Sequence, residues 1–278
     1  MSVCPRRKVL ITGAAGGMGR ACARLFGATQ DLVLTDVTAA SLDAFAEELR
    51  RDGYTVATFA GDLSGEALQA DLVAAIGDGA PFTLIHTAGL SPSLADWQTI
   101  MQINLVATEL LLRAIEPKLV PGSAAVLIAS TAGHMMPPLP DIEAVLADPL
   151  QPGFIDKVGG IIQAMGGDAS QGGAGGISYS LSKKAVIQIC ERRAAAWGKL
   201  GARITSISPG MILTPMGRSE MESSAGARQV LGSTPAGRVG TPMDIALTAQ
   251  FLTSDAGGFI SGSDIKVDGG CIAAMKPG

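Results

Sequence analysis

The chain has 278 residues, 47% of them hydrophobic and 17% charged, with a formal net charge of −4. That balance supports a large buried core, excludes wholesale disorder, and leaves no basic block for nucleic acid beyond Arg6, Arg7 and Lys8. Four scattered cysteines (Cys4, Cys22, Cys190, Cys271) and two histidines (His86, His134), with no CxxC pair and no metal spacing, predict reduced thiols in a cytoplasmic protein without a metal.

In chain order, KVLIT (8–12) reads as a strand, followed by the glycine-rich TGAAGGMG (12–19) and a helix near 17–28. The apolar run behind the basic N-terminus is too short for a signal segment. DLVLTD (31–36), a helix near 39–52, YTVATFA (54–60) and a helix near 64–77 come next. Then follow FTLIHTA (82–88), a helix over 95–118 and AAVLIAS (124–130). Pro121, Gly122 and the prolines of MMPPLP interrupt the longest uncharged stretch, 119–140, so no membrane span is expected. After a long interval come a helix near 178–200, ARITSIS (202–208), a helix near 241–254 and SDIKVDG (263–269). Several strands are apolar throughout, which suits parallel strands buried on both faces. The repeated β-then-α order predicts an α/β fold: one doubly wound (Rossmann) parallel sheet of about seven strands with helices on both faces. No linker divides the chain, so residues 1–278 read as one domain.

Residues 131–177 break the rhythm, with no convincing strand and more length than a structureless loop usually has. DIEAVLAD (141–148) and FIDKVGGIIQAM (154–165) have the pattern of short amphipathic helices. The expectation is an inserted substrate lid over 134–177. Its Met135, Met136, Leu139, Ile161 and Met165 either line a pocket or pack the insertion's own small core. Residues 214–235, rich in small side chains, read as a second mobile cover.

In TGAAGGMG, Gly13 permits the tight turn, Gly17 the approach of a pyrophosphate, and Gly19 close packing of helix on strand. The helix N-terminus adds free N–H groups and a positive dipole for the anion. Asp36 ends the second strand 23 residues after Gly13 (36 − 13), where a carboxylate accepts ribose hydroxyls and repels a 2′-phosphate. This predicts NAD(H) over NADP(H). Asp62, after the third strand, is a candidate for the adenine, with Leu63 beside it.

With these residues in hand the chain resembles the short-chain dehydrogenase/reductase family over nearly all its length, and within it the bacterial NAD-dependent 3α-hydroxysteroid dehydrogenase/carbonyl reductases. TGAAGGMG resembles the family's TGxxxGxG loop, which brings in Met18, and YSLSK (179–183) its YxxxK. TAGL (87–90) resembles part of its NNAG, with Ala88 and Gly89 at the cofactor and His86 and Thr87 replacing the two asparagines. MQINL puts Asn104 at the family's helix asparagine, and IAST puts Ser130 at its serine. SPGMILT (208–214) resembles the segment that holds the nicotinamide carboxamide, implying contacts from Pro209, Gly210, Ile212 and Thr214. The resemblance also implies a homo-oligomer, a tetramer or dimer.

Reducing a ketone needs a proton donor at its oxygen, and oxidising the alcohol needs a base. An ordinary tyrosine titrates near pH ~10, and a neighbouring cation favours its phenolate. Tyr179 and Lys183 share one helix face at four residues' spacing, so Lys183 can tune Tyr179. By resemblance Lys183 also holds the nicotinamide ribose, Ser130 bonds the reacting oxygen, and Asn104 supports a water beside Lys183. The expected activity is interconversion of a secondary alcohol and a ketone, with a small, hydrophobic, alicyclic or steroid-like substrate. A catalytically silent NAD(H)-binding sensor on the same scaffold remains the other reading, and epimerase or dehydratase chemistry lacks its usual substrate domain. His134 reads as a loop residue or a pocket residue, Lys184 as a solvated face residue, and QGGAGGI (171–177), with Gly172, Gly173, Gly175 and Gly176, as the hinge of the lid.

Overall fold

The structure, a computed structural model, describes residues 6–168, 173–223, 232 and 234–275, and the side chains of Glu220 and Ser223 are left aside. The apolar runs become β1 (Lys8–Thr12), β2 (Asp31–Asp36), β3 (Val56–Ala60), β4 (Phe82–His86), β5 (Ala124–Ile128), β6 (Arg203–Pro209) and β7 (Asp264–Val267). They form one 7-stranded sheet in the order β3-β2-β1-β4-β5-β6-β7. Every pairing is parallel, with Thr12 opposite Thr35 on one side and His86 on the other. The predicted doubly wound sheet is thus present. Its strand order reverses between β1 and β4, and the crevice outside the carboxyl ends at such a point is where open α/β sheets bind ligands.

Successive strand residues face opposite sides of the sheet, so two cores form. Leu10, Leu84 and Leu127 meet Leu72 of α3 (Glu66–Ile76) and Leu111 of α5 (Ala107–Ile115). Val9, Ile11 and Val126 meet Phe26 of α1 (Gly17–Gly27) and Phe45 of α2 (Ala39–Arg51) on the other face, with Ala249 of α11 (Pro242–Thr253). Burial on both sides is the reason these strands read as continuous apolar runs. α11 starts on a capping box: Thr241 Oγ1 accepts the Asp244 N–H, the Asp244 carboxylate accepts the Thr241 N–H, and Pro242 sits in the first turn.

The helix expected over 95–118 is divided. α4 (Trp97–Met101) runs into a π-helical turn, Gln102–Val106, before α5 continues. Three side-chain bonds accompany the bulge: Thr108 Oγ1 donates to the Asn104 carbonyl at 2.9 Å, and the Asn104 side chain makes two bonds with the backbone of Leu90. π-bulges of this kind concentrate at functional positions.

The insertion carries α6 (Thr131–His134), α7 (Pro140–Leu146) and α8 (Phe154–Ala164), bearing out the two short helices. α8 buries Phe154, Val158 and Ile162, a spacing of four, in the same core as Leu105 and Leu181. It lies so close to α4 that a Cβ on Gly159 would stand 3.0 Å from Trp97. Met136, Ile161 and Met165 pack against that core, while Met135 stays exposed.

Two expectations change here. Lys184 is not a solvated face residue: its side chain is 15% exposed and reaches Glu143 of α7 at 3.1 Å and the Met136 and Pro137 carbonyls. Gly173, Gly175 and Gly176 do not form a hinge loop, because they lie inside the start of α9 (Gly173–Lys199). The helix there packs on α4, with Ala174 and Ser178 buried and Ser178 Oγ donating to the Trp97 carbonyl at 2.8 Å, whereas a Cβ on Gly176 would meet nothing within 4 Å. Gly172 lies outside the described residues. Of the second predicted cover, Pro215–Ser223 is helical (α10), and 224–231 and 233 lie outside the described residues.

Candidate active site

The loop after β1 turns on Gly13, whose φ of 63° is in the left-handed region that favours glycine. A Cβ there would stand 2.8 Å from the Ala88 nitrogen. A Cβ on Gly19 would stand 2.2 Å from the Gly13 carbonyl oxygen, and one on Gly17 would stand 2.7 Å from Thr214. The three glycines therefore let strand, loop and helix approach at distances that side chains would prevent. Thr214 in turn accepts the Gly217 N–H at 3.0 Å, a bond internal to the segment after β6 that holds Thr214 where it approaches Gly17.

Asp36 ends β2 and accepts the Ala15 N–H at 2.9 Å and the Thr38 N–H at 3.3 Å, which holds its carboxylate beside the glycine loop. Asp62, beyond β3, accepts the Ser64 N–H at 2.9 Å, and Leu63 is buried next to it. These groups lie along the carboxyl edge of the sheet. Loop backbone, helix N-terminus and acceptor carboxylate form a set that fits a nicotinamide dinucleotide.

An open cleft lies at the same edge. Ser130, Tyr179 and Lys183 line it together. Met18, Gly89, Pro209, Gly210, Ile212 and Thr214 also face it, so part of the predicted cofactor set shares the cavity with Ser130, Tyr179 and Lys183, whereas Gly13, Gly17, Gly19, Asp36, Asp62, Leu63, Ala88 and Asn104 do not line it. Leu90, Met135, Met211 and Met216 add apolar wall that the sequence reading did not assign, apart from Met135. From the predicted lid, 134–177, Met135 is the residue that lines the cleft among those described.

Tyr179 and Lys183 stand one turn apart on α9, with Lys183 Nζ 5.8 Å from the centre of the Tyr179 ring. Lys183 is 6% exposed and donates to the Ile128 carbonyl at 2.9 Å. Burial lowers its pKa to about 8. Gly89 keeps room beside it: a Cβ there would stand 3.2 Å from Lys183 Nζ and 3.3 Å from Asn104 Oδ1. Ser130 follows β5 and caps α6, its Oγ accepting the Ala132 N–H at 3.1 Å.

Asn104 sits near Lys183 but is engaged with the protein. Its Oδ1 accepts the Leu90 N–H at 2.7 Å, and its Nδ2 donates to the Leu90 carbonyl at 2.9 Å and to Ser182 Oγ at 3.2 Å. It fixes the loop after β4 to the two helices beneath it.

His86 and Thr87 stitch that loop to β1. His86 bonds Thr12 Oγ1 through Nδ1 and Thr108 Oγ1 through Nε2, both at 2.8 Å. Thr87 Oγ1 donates to the Thr12 carbonyl at 2.7 Å, and the Ala88 N–H donates to Thr12 Oγ1 at 3.2 Å. Full burial first, and then the Lys183 charge, lower the His86 pKa to about 3, so the ring is neutral. Burial raises the Cys22 and Cys190 thiols far above neutrality, so neither is a nucleophile.

Two family models match in sequence. One described as "short chain dehydrogenase" covers residues 7–140, and one described as "Enoyl-(Acyl carrier protein) reductase" covers 144–271. D-threitol dehydrogenase of Mycolicibacterium smegmatis is 32% identical, over 94% of this chain and 91% of its own. The chain belongs to the short-chain dehydrogenase/reductase family. The 3-alpha-hydroxysteroid dehydrogenase/carbonyl reductase of Comamonas testosteroni is 29% identical, over 97% of this chain and 98% of its own. The crystal structure of the 3-alpha-hydroxysteroid dehydrogenase from Pseudomonas sp. B-0831, complexed with NADH, superposes with a TM-score of 0.76 at 25% identity. That superposition covers 97% of this chain and 98% of the other. This family membership makes the chain a short-chain oxidoreductase that uses a nicotinamide cofactor. No helix among the described residues is long and apolar enough to cross a membrane.

Proposed function

We propose that the chain is an NAD(H)-dependent dehydrogenase/ketone reductase of a hydrophobic secondary alcohol, alicyclic or steroid-like. The observation that carries this reading is the convergence of Ser130, Tyr179 and Lys183 on one cleft with Met18 of the glycine loop and the segment after β6. A nicotinamide bound there supplies or accepts the hydride at the carbinol carbon. Tyr179 gives its phenolic proton to the carbonyl oxygen during reduction and takes it back during oxidation. Lys183, one turn away and buried, stabilises negative charge at the phenol oxygen and can reach the cofactor ribose. Ser130 holds the reacting oxygen by a hydrogen bond. Asn104 keeps the loop at Gly89 and Leu90 in place, and with it the space beside Lys183.

Asp36 supports NAD(H), since a carboxylate accepts ribose hydroxyls and opposes a 2′-phosphate. The thioether and aliphatic wall of Met18, Leu90, Met135, Met211, Ile212 and Met216 supports an apolar substrate. The relative named for a steroid favours the same class, and the one named for threitol marks the polar alternative. One family model is named for an enoyl reductase, but the four-residue spacing of Tyr179 and Lys183 supports ketone chemistry.

The unpaired edge of β7, beside the exposed Met243, Leu247, Phe251 and Phe259, supports a homo-oligomer. The cysteine usage supports a cytoplasmic location. The deciding experiment follows NADH and NADPH oxidation with cyclohexanone, 2-decalone, a saturated steroid ketone and a ketose. Reduction of a cyclic ketone with NADH is expected. Turnover of the ketose alone, or a preference for NADPH, overturns the reading.

A further inference from the structure

A buried polar cluster lies directly behind the cleft. Asp264, on the edge strand β7, has a side chain only 6% exposed. Such a carboxylate is tolerated when its oxygens are fully bonded. Oδ1 accepts Ser206 Oγ–H at 2.6 Å and Ser208 Oγ–H at 2.9 Å. Oδ2 accepts His134 Nε2–H at 2.8 Å, and this assigns the proton to Nε2. The two serines come from the neighbouring strand. His134 comes from outside the sheet, 130 residues away in the chain, at the last position of α6.

The constellation is not a nucleophilic triad. Ser208 and Asp264 both approach the same ring nitrogen, Ser208 at 3.2 Å, whereas a triad uses the two nitrogens separately. Ser208 is also fully buried and gives its proton to Asp264.

What His134 does hold is the turn that begins at Ser130. α6 is one turn long, and Ser130 caps it. Its other flank is wedged on α9, since a Cβ on Gly133 would stand 2.8 Å from the Lys184 nitrogen and 2.9 Å from the Lys183 carbonyl carbon. The turn is thus held from two sides, by the backbone carrying Lys183 and by the His134–Asp264 bond. Releasing one side frees Ser130 to shift relative to Tyr179.

We propose that His134 is a positioning residue for Ser130, acting through its bond to Asp264. The inference rests on the reading of Ser130 as the group that bonds the reacting oxygen. A displacement of about an ångström in such a group reduces turnover by ten- to a hundred-fold.

The test uses NADH-dependent reduction of the panel ketone turned over fastest. His134→Ala should lower kcat by about ten- to a hundred-fold, with the NADH Kd unchanged. His134→Gln, whose amide N–H reaches as far as Nε2, should restore most of it. In a Ser130→Ala background, His134→Ala should cost nothing more, because the two act through one oxygen. Asp264→Leu keeps roughly the bulk, removes both acceptor oxygens and should reproduce the loss; it replaces the alanine variant if that chain fails to fold. A wild-type kcat in both His134→Ala and Asp264→Leu overturns the proposal. So does an equal loss in both backgrounds, or activity that tracks Tm and is not restored by glutamine. If Ser130→Ala itself leaves kcat unchanged, or no panel ketone is reduced, the reading of the site fails first and the inference falls with it.

Discussion

Lys183 is held by the Ile128 carbonyl at 2.9 Å, two residues before Ser130, so the helix carrying Tyr179 is bonded to the strand carrying the serine. This hydrogen bond, together with the His134–Asp264 bond that holds the turn after Ser130, constrains the distance between the two groups expected to meet the substrate oxygen. The same burial that makes this bond lowers the lysine's pKa from 10.5 to about 8. Below that value the ammonium is present, and above it the charge beside the phenol is lost. Ketone reduction by NADH should then fall with an apparent pKa near 8 as pH rises. A profile flat to pH ~10 would remove Lys183 as the charge that supports Tyr179.

Tyr179→Phe deletes one oxygen and keeps the ring. If that oxygen is the proton donor, kcat should drop by about 10²–10⁴, the range of general acid–base contributions. NADH binding, followed by fluorescence, should be nearly unchanged, because the glycine loop and Asp36 remain. Retained turnover would rule out the assignment.

Asp36 is held by two backbone N–H groups, so its carboxylate is in place before any cofactor arrives. Asp36→Ala removes the acceptor for ribose hydroxyls and the charge opposing a 2′-phosphate. The ratio of kcat/KM for NADH over NADPH should fall by about ten-fold or more, roughly 1.4 kcal/mol. An unchanged ratio would place cofactor selectivity elsewhere.

His86 reports on stability. Its ordinary pKa of 6.5 applies to the unfolded chain, and the folded value is about 3. Below 6.5 the unfolded chain takes up a proton that the folded chain refuses, so stability is lost as pH falls. Between about pH 7 and pH 5 this one group should remove about 2 kcal/mol. His86→Asn should flatten that part of the stability curve, whatever its effect at neutral pH. An equally steep curve in the variant would assign the acid sensitivity to other groups.

Much of this fold can be read from the strands. Val9, Leu10 and Ile11 are all buried, on alternating faces, which only a sheet covered twice requires. The spacing of Tyr179 and Lys183 and the glycine loop also read directly, because their chemistry is local. Relationships made by tertiary contact do not. The π-turn at Asn104 has no proline or glycine to announce it; it goes with bonds to Leu90 and Thr108. Gly173, Gly175 and Gly176 look like a loop by propensity, yet the packing of α9 on α4 keeps them helical. His134 looks like an isolated loop histidine because its partner, Asp264, is 130 residues away. Lys184 looks solvated because the carboxylate it meets lies in the insertion.

That last contact gives the insertion its anchor. Lys184 follows Lys183 in the chain, and its ammonium reaches Glu143 of α7 at 3.1 Å while bonding the carbonyls of Met136 and Pro137. Glu143 also accepts the Leu139 N–H at 3.0 Å, so one side chain secures the start of α7 and its tie to α9. The pair is only partly buried, and such pairs contribute about 0.5–1 kcal/mol. Lys184→Met keeps the aliphatic stem and removes the charge. Amide exchange in α7 should become about two- to five-fold faster, with α9 unaffected. Met135, next to the anchored carbonyls, lines the cleft. The KM for the ketone should therefore rise more than kcat falls. Unchanged exchange in α7 would show that α8, through Phe154, Val158 and Ile162, holds the insertion without the ion pair.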